Sequence, residues 1–189
     1  MRKLTYMIAM SVDGFIAGPG GEYDMYPTPE EYLGHLCAEY PETLPSHVRP
    51  HLGIADAPNK HFDTIVQGRV TYQPALDIGV TSPYAHLRQL VVSTTLPADD
   101  PAVEIVSGDP VARVRELKAE DGLGIYLAGG ARLAGALYGE IDEMIVKQYP
   151  IMLGTGIPML SGEFAPLSLR RTGITTFDSG HVILSYTRA

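Results

Sequence analysis

Apolar and β-branched residues fall into six short runs, at 5–10, 64–67, 89–93, 103–106, 125–128 and 143–149. Runs this short and nearly continuous predict strands buried on both faces. The segments between them carry helical spacing. Asp109-Pro110 reads as an N-cap followed by proline at the first helical position, with Val111, Val114 and Leu117 on one face. Thr28-Pro29-Glu30-Glu31 fits a capping box, ahead of Tyr32, Leu33, Leu36 and Tyr40 on a buried side. Further helices open at Gly129-Gly130-Ala131-Arg132, carrying Leu133 and Leu137, and after Gly68, running to about Leu76. Strands alternating with helices predict an α/β fold: a three-layer α/β/α sandwich around a mostly parallel, twisted sheet.

The pattern changes near the end. Residues 167–177 and 181–188 flank Asp178-Ser179-Gly180, which predicts an antiparallel hairpin at one sheet edge. Its Ile174, Phe177, Val182, Leu184 and Tyr186 suggest an apolar edge and hence a homodimer. Residues 42–62 contain three prolines and three histidines and predict an irregular excursion with a short helical turn. No repeat or linker divides the sequence, so 1–189 is expected to be one domain.

Composition narrows the chemistry. The chain has 189 residues, 45% of them hydrophobic, the proportion of a globular protein. Fourteen basic against 22 acidic residues give a net charge of −8, which argues against nucleic acid or an anionic membrane as partner. The N-terminal run leads straight into Ser11-Val12-Asp13-Gly14 and reads as a strand, not a signal peptide. The single cysteine, Cys37, excludes an intramolecular disulfide and a multi-cysteine zinc site, and fits a cytoplasmic protein. Cys37 itself reads as a small buried hydrophobe. His47 and His51 have i,i+4 spacing, but Pro50 would break the helix needed to align them on a metal.

Two strand-to-helix junctions have the chemistry of an anion site. In the first, a strand ends at Gly129-Gly130 and a helix starts at once; small residues let a phosphate approach backbone N–H groups. The same glycines would also suit a tight βα turn. In the second, Gly68 precedes Arg69 and Thr71 in a helix first turn. A cation there opposes the helix dipole unless an anion, or a carboxylate partner, shares the position. Ser93 and Thr94 place hydroxyls past a third strand. All three ends meet at the carboxyl edge of a parallel sheet, where open α/β folds bind ligands. The glycine-rich loop at 11–24 has the makings of a hinged flap, or of an ordinary surface loop.

Together, Ala9-Met10-Ser11-Val12-Asp13-Gly14-Phe15-Ile16-Ala17, Gly68-Arg69-Val70-Thr71-Tyr72, Val92-Ser93-Thr94, Leu127-Ala128-Gly129-Gly130-Ala131-Arg132-Leu133 and 150–158 follow the order seen in dihydrofolate-reductase-like proteins. Over nearly its whole length the chain resembles the branch holding the reductase domain of riboflavin biosynthesis, which acts on 5-amino-6-(5-phosphoribosylamino)uracil. The resemblance implies an NADPH-dependent reductase. Gly129, Gly130, Ala131, Arg132 and Leu133 would cradle the pyrophosphate. Gly68, Arg69, Thr71, Ser93 and Thr94 would surround the adenosine ribose and its 2′-phosphate. Ala9, Ile16 and Ala17 would line the nicotinamide.

The sequence also departs from that branch. It has no tryptophan, and Tyr72-Gln73-Pro74-Ala75-Leu76 stands where the riboflavin reductase has an Asp-Pro-Arg-like segment that helps hold the substrate's ribose phosphate. A dihydrofolate-type carboxylate would fall near Glu31, and Asp13 matches the loop motif. These two are the candidate proton donors, each with a structural alternative as a cap or turn residue. The competing readings are a dihydrofolate or pteridine reductase and a dinucleotide-binding sensor without turnover.

Overall fold

The computed structural model describes residues 1–189. The six runs are strands β1 (Leu4–Ser11), β3 (Phe62–Gly68), β4 (Arg88–Val92), β5 (Val103–Val106), β6 (Gly124–Gly129) and β7 (Glu143–Tyr149). The C-terminal hairpin supplies β9 (Leu169–Thr176) and β10 (Val182–Arg188). These eight form one sheet in the order β5-β4-β3-β6-β1-β7-β10-β9, parallel from β5 to β7, with the hairpin antiparallel at its edge.

Helices cover both faces. On one, α3 (Pro110–Ala119) and α4 (Ala131–Ala136) bury Val114, Leu117, Leu133 and Leu137 against Leu4, Tyr6, Leu127 and Val146. On the other, α1 (Glu30–Glu39) places Tyr32 and Leu36 over Met7, Ile145 and Ile183. The helix α2 (Arg69–Asp77) seats Tyr72 on Val91 and Val103 near the far edge. Asp109 caps α3 as its sequence predicts, accepting the Val111 N–H at 2.9 Å.

Three expectations change. The capping box at α1 is not made: Pro29 is the N-cap, with no side-chain cap, and Glu31 turns elsewhere. The 11–24 loop is not a free flap at its start. Residues Phe15–Ala17 form β2 and pair antiparallel with β8 (Ile157–Pro158), a second small sheet that strands of two and three residues gave no pattern to predict. The hairpin also shows less apolar surface than expected. Leu184, Tyr186 and Phe177 pack onto the two large clusters, which leaves Ile174 and Leu169 as its exposed apolar side chains. The 42–62 excursion does contain short turns, at Pro41–Thr43 and Arg49–Leu52. It is pinned from inside: Glu42 is fully buried and accepts the N–H groups of His61 and Phe62 at 2.6 and 3.0 Å. No helix is long and apolar enough to cross a membrane.

Candidate active site

Topology decides where a ligand can enter. β6 is followed by α4 on one face, whereas β1 leads through its loop to α1 on the other. Adjacent strands whose connections leave on opposite faces open a crevice at their carboxyl ends. Their ladder stops at Tyr6↔Leu127, while β1 continues beside β7 to Ser11↔Tyr149. The strands therefore separate where the candidate residues lie.

On the β6 side the two glycine junctions meet. A Cβ on Gly68 would sit 3.6 Å from the Gly129 carbonyl oxygen and 3.8 Å from the Gly130 nitrogen. One on Gly130 would meet only Thr71 Oγ1, at 3.4 Å. Gly68, Thr71, Gly129, Gly130 and Leu133 are thus one cluster, as their proposed common ligand requires. Gly129 has φ +96°, a conformation that strongly favours glycine, and the Gly129–Gly130 peptide is cis. Gly68 and Gly130 are the N-caps of α2 and α4, and neither helix has a side-chain cap, unlike α3. Their first N–H groups are therefore left for an acceptor from outside the helix.

Two exposed arginines stand at these helix starts, Arg69 first in α2 and Arg132 second in α4. Neither has a carboxylate partner, whereas Arg2, Arg88, Arg113 and Arg115 all pair with acidic side chains. Ser93 follows β4 beside them but is buried, and its Oγ accepts the N–H groups of Thr95 and Leu96 at 3.2 and 3.0 Å. It shapes the turn that leaves Thr94 exposed.

On the β1 side, Ala9 lies half-buried next to the opening. Ile16 and Ala17 belong to β2 and are held over the end of β1 by a web of hydrogen bonds. Asp13 is its centre: its carboxylate accepts Ser11 Oγ at 2.6 Å, Leu153 N at 3.1 Å and Gly154 N at 2.7 Å. Hydrogen bonding from the Ser11 hydroxyl, then from those amides, holds its acidity below the usual carboxylate range. Tyr26 donates to the Phe15 carbonyl at 2.6 Å and completes the anchor.

Glu31 is not brought to this group. Its Oε1 accepts the Ser179 N–H at 2.7 Å, tying α1 to the β9–β10 turn, and Ser179 likewise holds the carboxyl below its usual range. His181, which no sequence pattern singles out, fixes the same corner. It is buried, with Nδ1 3.0 Å from Ser179 Oγ and Nε2 3.1 Å from the Pro27 carbonyl, and it stacks on Tyr32.

A cavity of about 420 Å³ lies at the opposite, amino-terminal edge among Lys3, Lys60, His61 and Glu143. Its lysines are already engaged, Lys3 with Glu143 and Lys60 with the Ala38 carbonyl. The crevice, with open glycines and unpaired cations, is the better candidate.

Comparison with known proteins identifies the family and the fold. Residues 2–183 match the family model of the RibD C-terminal domain. The chain is 30% identical over 192 residues to the uncharacterized protein YwjB of Bacillus subtilis (strain 168), covering 100% of this chain and 99% of that one. It is 25% identical over 198 residues to the uncharacterized protein YyaP of the same organism, covering 98% and 94%. Among solved structures, a protein from Shewanella sp. PV-4 named provisionally for riboflavin biosynthesis superposes with TM-score 0.72 at 23% identity, over 99% of each chain. Dihydrofolate reductase from Enterococcus faecalis, complexed with NADP(H) and RAB-propyl, superposes with TM-score 0.65 at 13% identity, over 98% and 96%. These two likenesses establish a dihydrofolate-reductase-like fold.

Proposed function

We propose a function from one premise, that this chain belongs to the RibD C-terminal domain family: it is a reductase that takes hydride from NADPH to a small heterocyclic or sugar-like C=N or C=O group. The observation that carries this reading is the meeting of Gly68, Gly129 and Gly130 beside two helix starts without side-chain caps and an unpaired Arg69. A Cβ at Gly130 would meet only Thr71 Oγ1, so the backbone there is open to the approach of a diphosphate.

When bound, the cofactor supplies the hydride. The chain's own residues do the rest. Gly129, Gly130, Ala131, Arg132 and Leu133 hold the pyrophosphate; Gly68, Arg69, Thr71 and Thr94 hold the ribose end, with Ser93 shaping its turn. Arg69 favours a 2′-phosphate over a free hydroxyl because a guanidinium makes charge-assisted hydrogen bonds to it. Ala9, Ile16 and Ala17 keep the nicotinamide against the end of β1, and Asp13 holds the segment that does so. Catalysis by such a site is mainly orientation.

Asp13 and Glu31 are both occupied by amide donors. Asp13 positions the loop over β1, Glu31 fixes the α1 corner away from the crevice, and a bound water would supply the proton that completes the reduction. With Glu31 engaged by Ser179, the riboflavin-type substrate is favoured over dihydrofolate. The test is a thermal-shift comparison of NADPH and NADH, followed by NADPH oxidation across pyrimidine ribosyl and ribityl compounds and dihydrofolate. A larger shift with NADPH and turnover of a pyrimidine compound are expected. A shift with no oxidation of any would mark a sensor module, and no shift at all would overturn the cofactor assignment.

A further inference from the structure

The face under α1 contains a recess that, beyond Ala9, the cofactor residues do not account for. Along that face Met7, Tyr126 and Ile145 are buried in three adjacent central strands. One step on in each strand, at Ala9, Ala128 and Lys147, solvent contact returns. Residues two apart in a strand share a face, so the covering layer stops short of the strand ends and leaves a hollow with these three in its floor. The two alanines make the middle shallow-walled and flat.

Polar groups stand at both ends of this floor. Lys147 lies opposite Ala9 on β1 and Ile183 on β10, in the same row as Ile145 and Tyr149. It makes no ion pair or hydrogen bond, whereas Lys3, Lys60 and Lys118 each have a partner. At the other end, on β3, Gln67 is 2% exposed and its Nε2 has no hydrogen-bond partner. The titratable groups packed on this face around Lys147 are Tyr149 on its own strand, Tyr32, His35 and Cys37 on α1, Tyr26 on the loop after β2, His181 before β10, and Tyr84. The carboxylates of the same elements do not pair with it: Glu31 is bonded to Ser179, Glu39 lies against His61, Glu143 pairs with Lys3, and Glu30 is exposed at the start of α1. Burial alone lowers the Lys147 amine to about 8, with no neighbouring charge to offset it.

Gln67 Nε2 is a buried donor without an acceptor, and Lys147 is a half-buried cation with no counter-charge; a ligand that supplies acceptors to both relieves the cost of each. We propose that Lys147 is the substrate-reading residue of this site, and that the recess takes a planar heterocycle with an anionic or oxo edge on the Lys147 ammonium. Gln67 Nε2 meets a second acceptor across the ring. The assignment rests on the reading of the crevice as a nicotinamide site only for what lies above the ring. The hollow and its donors are independent of it.

Competitive acetylation by acetic anhydride, read peptide by peptide, tests this on the intact protein, with Lys147→Arg to confirm the peptide assignment. At pH 7, Lys147 should react about tenfold or more faster than Lys3 or Lys60, because more of it is the free amine. Orotate, an anionic dioxopyrimidine, should slow that reaction severalfold, and neutral 6-methyluracil at the same concentration much less. A Lys147 no faster than Lys3 and Lys60, or protected equally by both compounds or by neither, would overturn the proposal. The same samples, with and without NADP⁺, give melting temperatures. A temperature unmoved by NADP⁺ would count against the cofactor reading, while preferential protection by orotate would still support Lys147.

Discussion

Asp13 and Gly154 stand 141 residues apart, and the Gly154 amide donates a 2.7 Å hydrogen bond to the Asp13 carboxylate. Through this bond and its neighbours, the loop after β1 and the loop after β7 become one structure. The small β2–β8 sheet, which holds Ile16 and Ala17 over the end of β1, depends on that union.

Asp13→Asn should therefore lower the melting temperature at neutral pH and flatten its acid limb. The sign follows from linkage: a carboxyl whose acidity is below its unfolded value stabilises the fold above the unfolded value. That contribution fades as pH falls through the folded one. Melting temperatures of both proteins between pH 7 and pH 3 should converge at the acid end. Parallel curves would show that the Asp13 charge does not hold the loops.

Much of this architecture was legible in the sequence. Val103–Val106 and Glu143–Tyr149 appear at the positions their apolar runs predict, and Asp109-Pro110 starts its helix as read. Local patterns failed where a distant partner decides the outcome. Glu31 has the spacing of a capping residue, yet Ser179, 148 positions away, claims it. Phe15–Ala17 is too short to show a period of two, and its pairing exists because Asp13 reaches the other loop. Lys147 was missed because a lone lysine in a strand reads as solvated. Only the register, which sets it beside Ala9 among apolar neighbours, gives it meaning.

Arg69 reads the cofactor's phosphate if the crevice is a dinucleotide site. Arg69→Ala should weaken NADPH binding by about 1–3 kcal/mol, the worth of a charge-assisted hydrogen bond, and leave NADH nearly unchanged. Because Arg69 is exposed and has no ion pair, its loss should not alter the apo melting temperature. Calorimetric titration of both cofactors separates these outcomes; equal losses would remove Arg69 from 2′-phosphate recognition.

Glu42 offers a test of the fold away from the crevice. Its side chain satisfies two backbone N–H groups at the start of β3 from a fully buried position. Glu42→Ala strands those donors and should cost about 2–4 kcal/mol in denaturant unfolding. A loss below about 1 kcal/mol would indicate that water or a shifted turn replaces the carboxylate.

We propose a homodimer formed along β9, the sheet's unpaired hairpin edge, where Ile174 and Leu169 are exposed. Light scattering at micromolar concentration should give twice the chain mass, and Ile174→Lys should shift it toward the monomer. A monomer in the unaltered protein would refute this interface.

The glycines of the crevice separate a ligand cradle from a plain turn. Three positions there differ in what a methyl group would meet. At Gly135 in α4 a Cβ would lie 1.7 Å from the Ser161 carbonyl oxygen, so Gly135→Ala must displace backbone and destabilise the apo protein. At Gly129 the space is tolerable, but φ +96° makes alanine strained, so a loss of stability there says nothing about a ligand. Gly130 is the informative position. Its φ of −82° suits any residue, and the new Cβ would touch only Thr71 Oγ1 at 3.4 Å. Gly130→Ala should therefore leave the apo melting temperature close to that of the unaltered protein. If a pyrophosphate lies over the backbone, the methyl group blocks its approach, and the NADPH-induced rise in melting temperature should largely disappear. That rise is the right measurement because a ligand bound only by the native state adds RT ln(1 + [L]/Kd) to stability. A Gly130→Ala protein that keeps the full rise would place the cofactor's phosphates somewhere other than this junction.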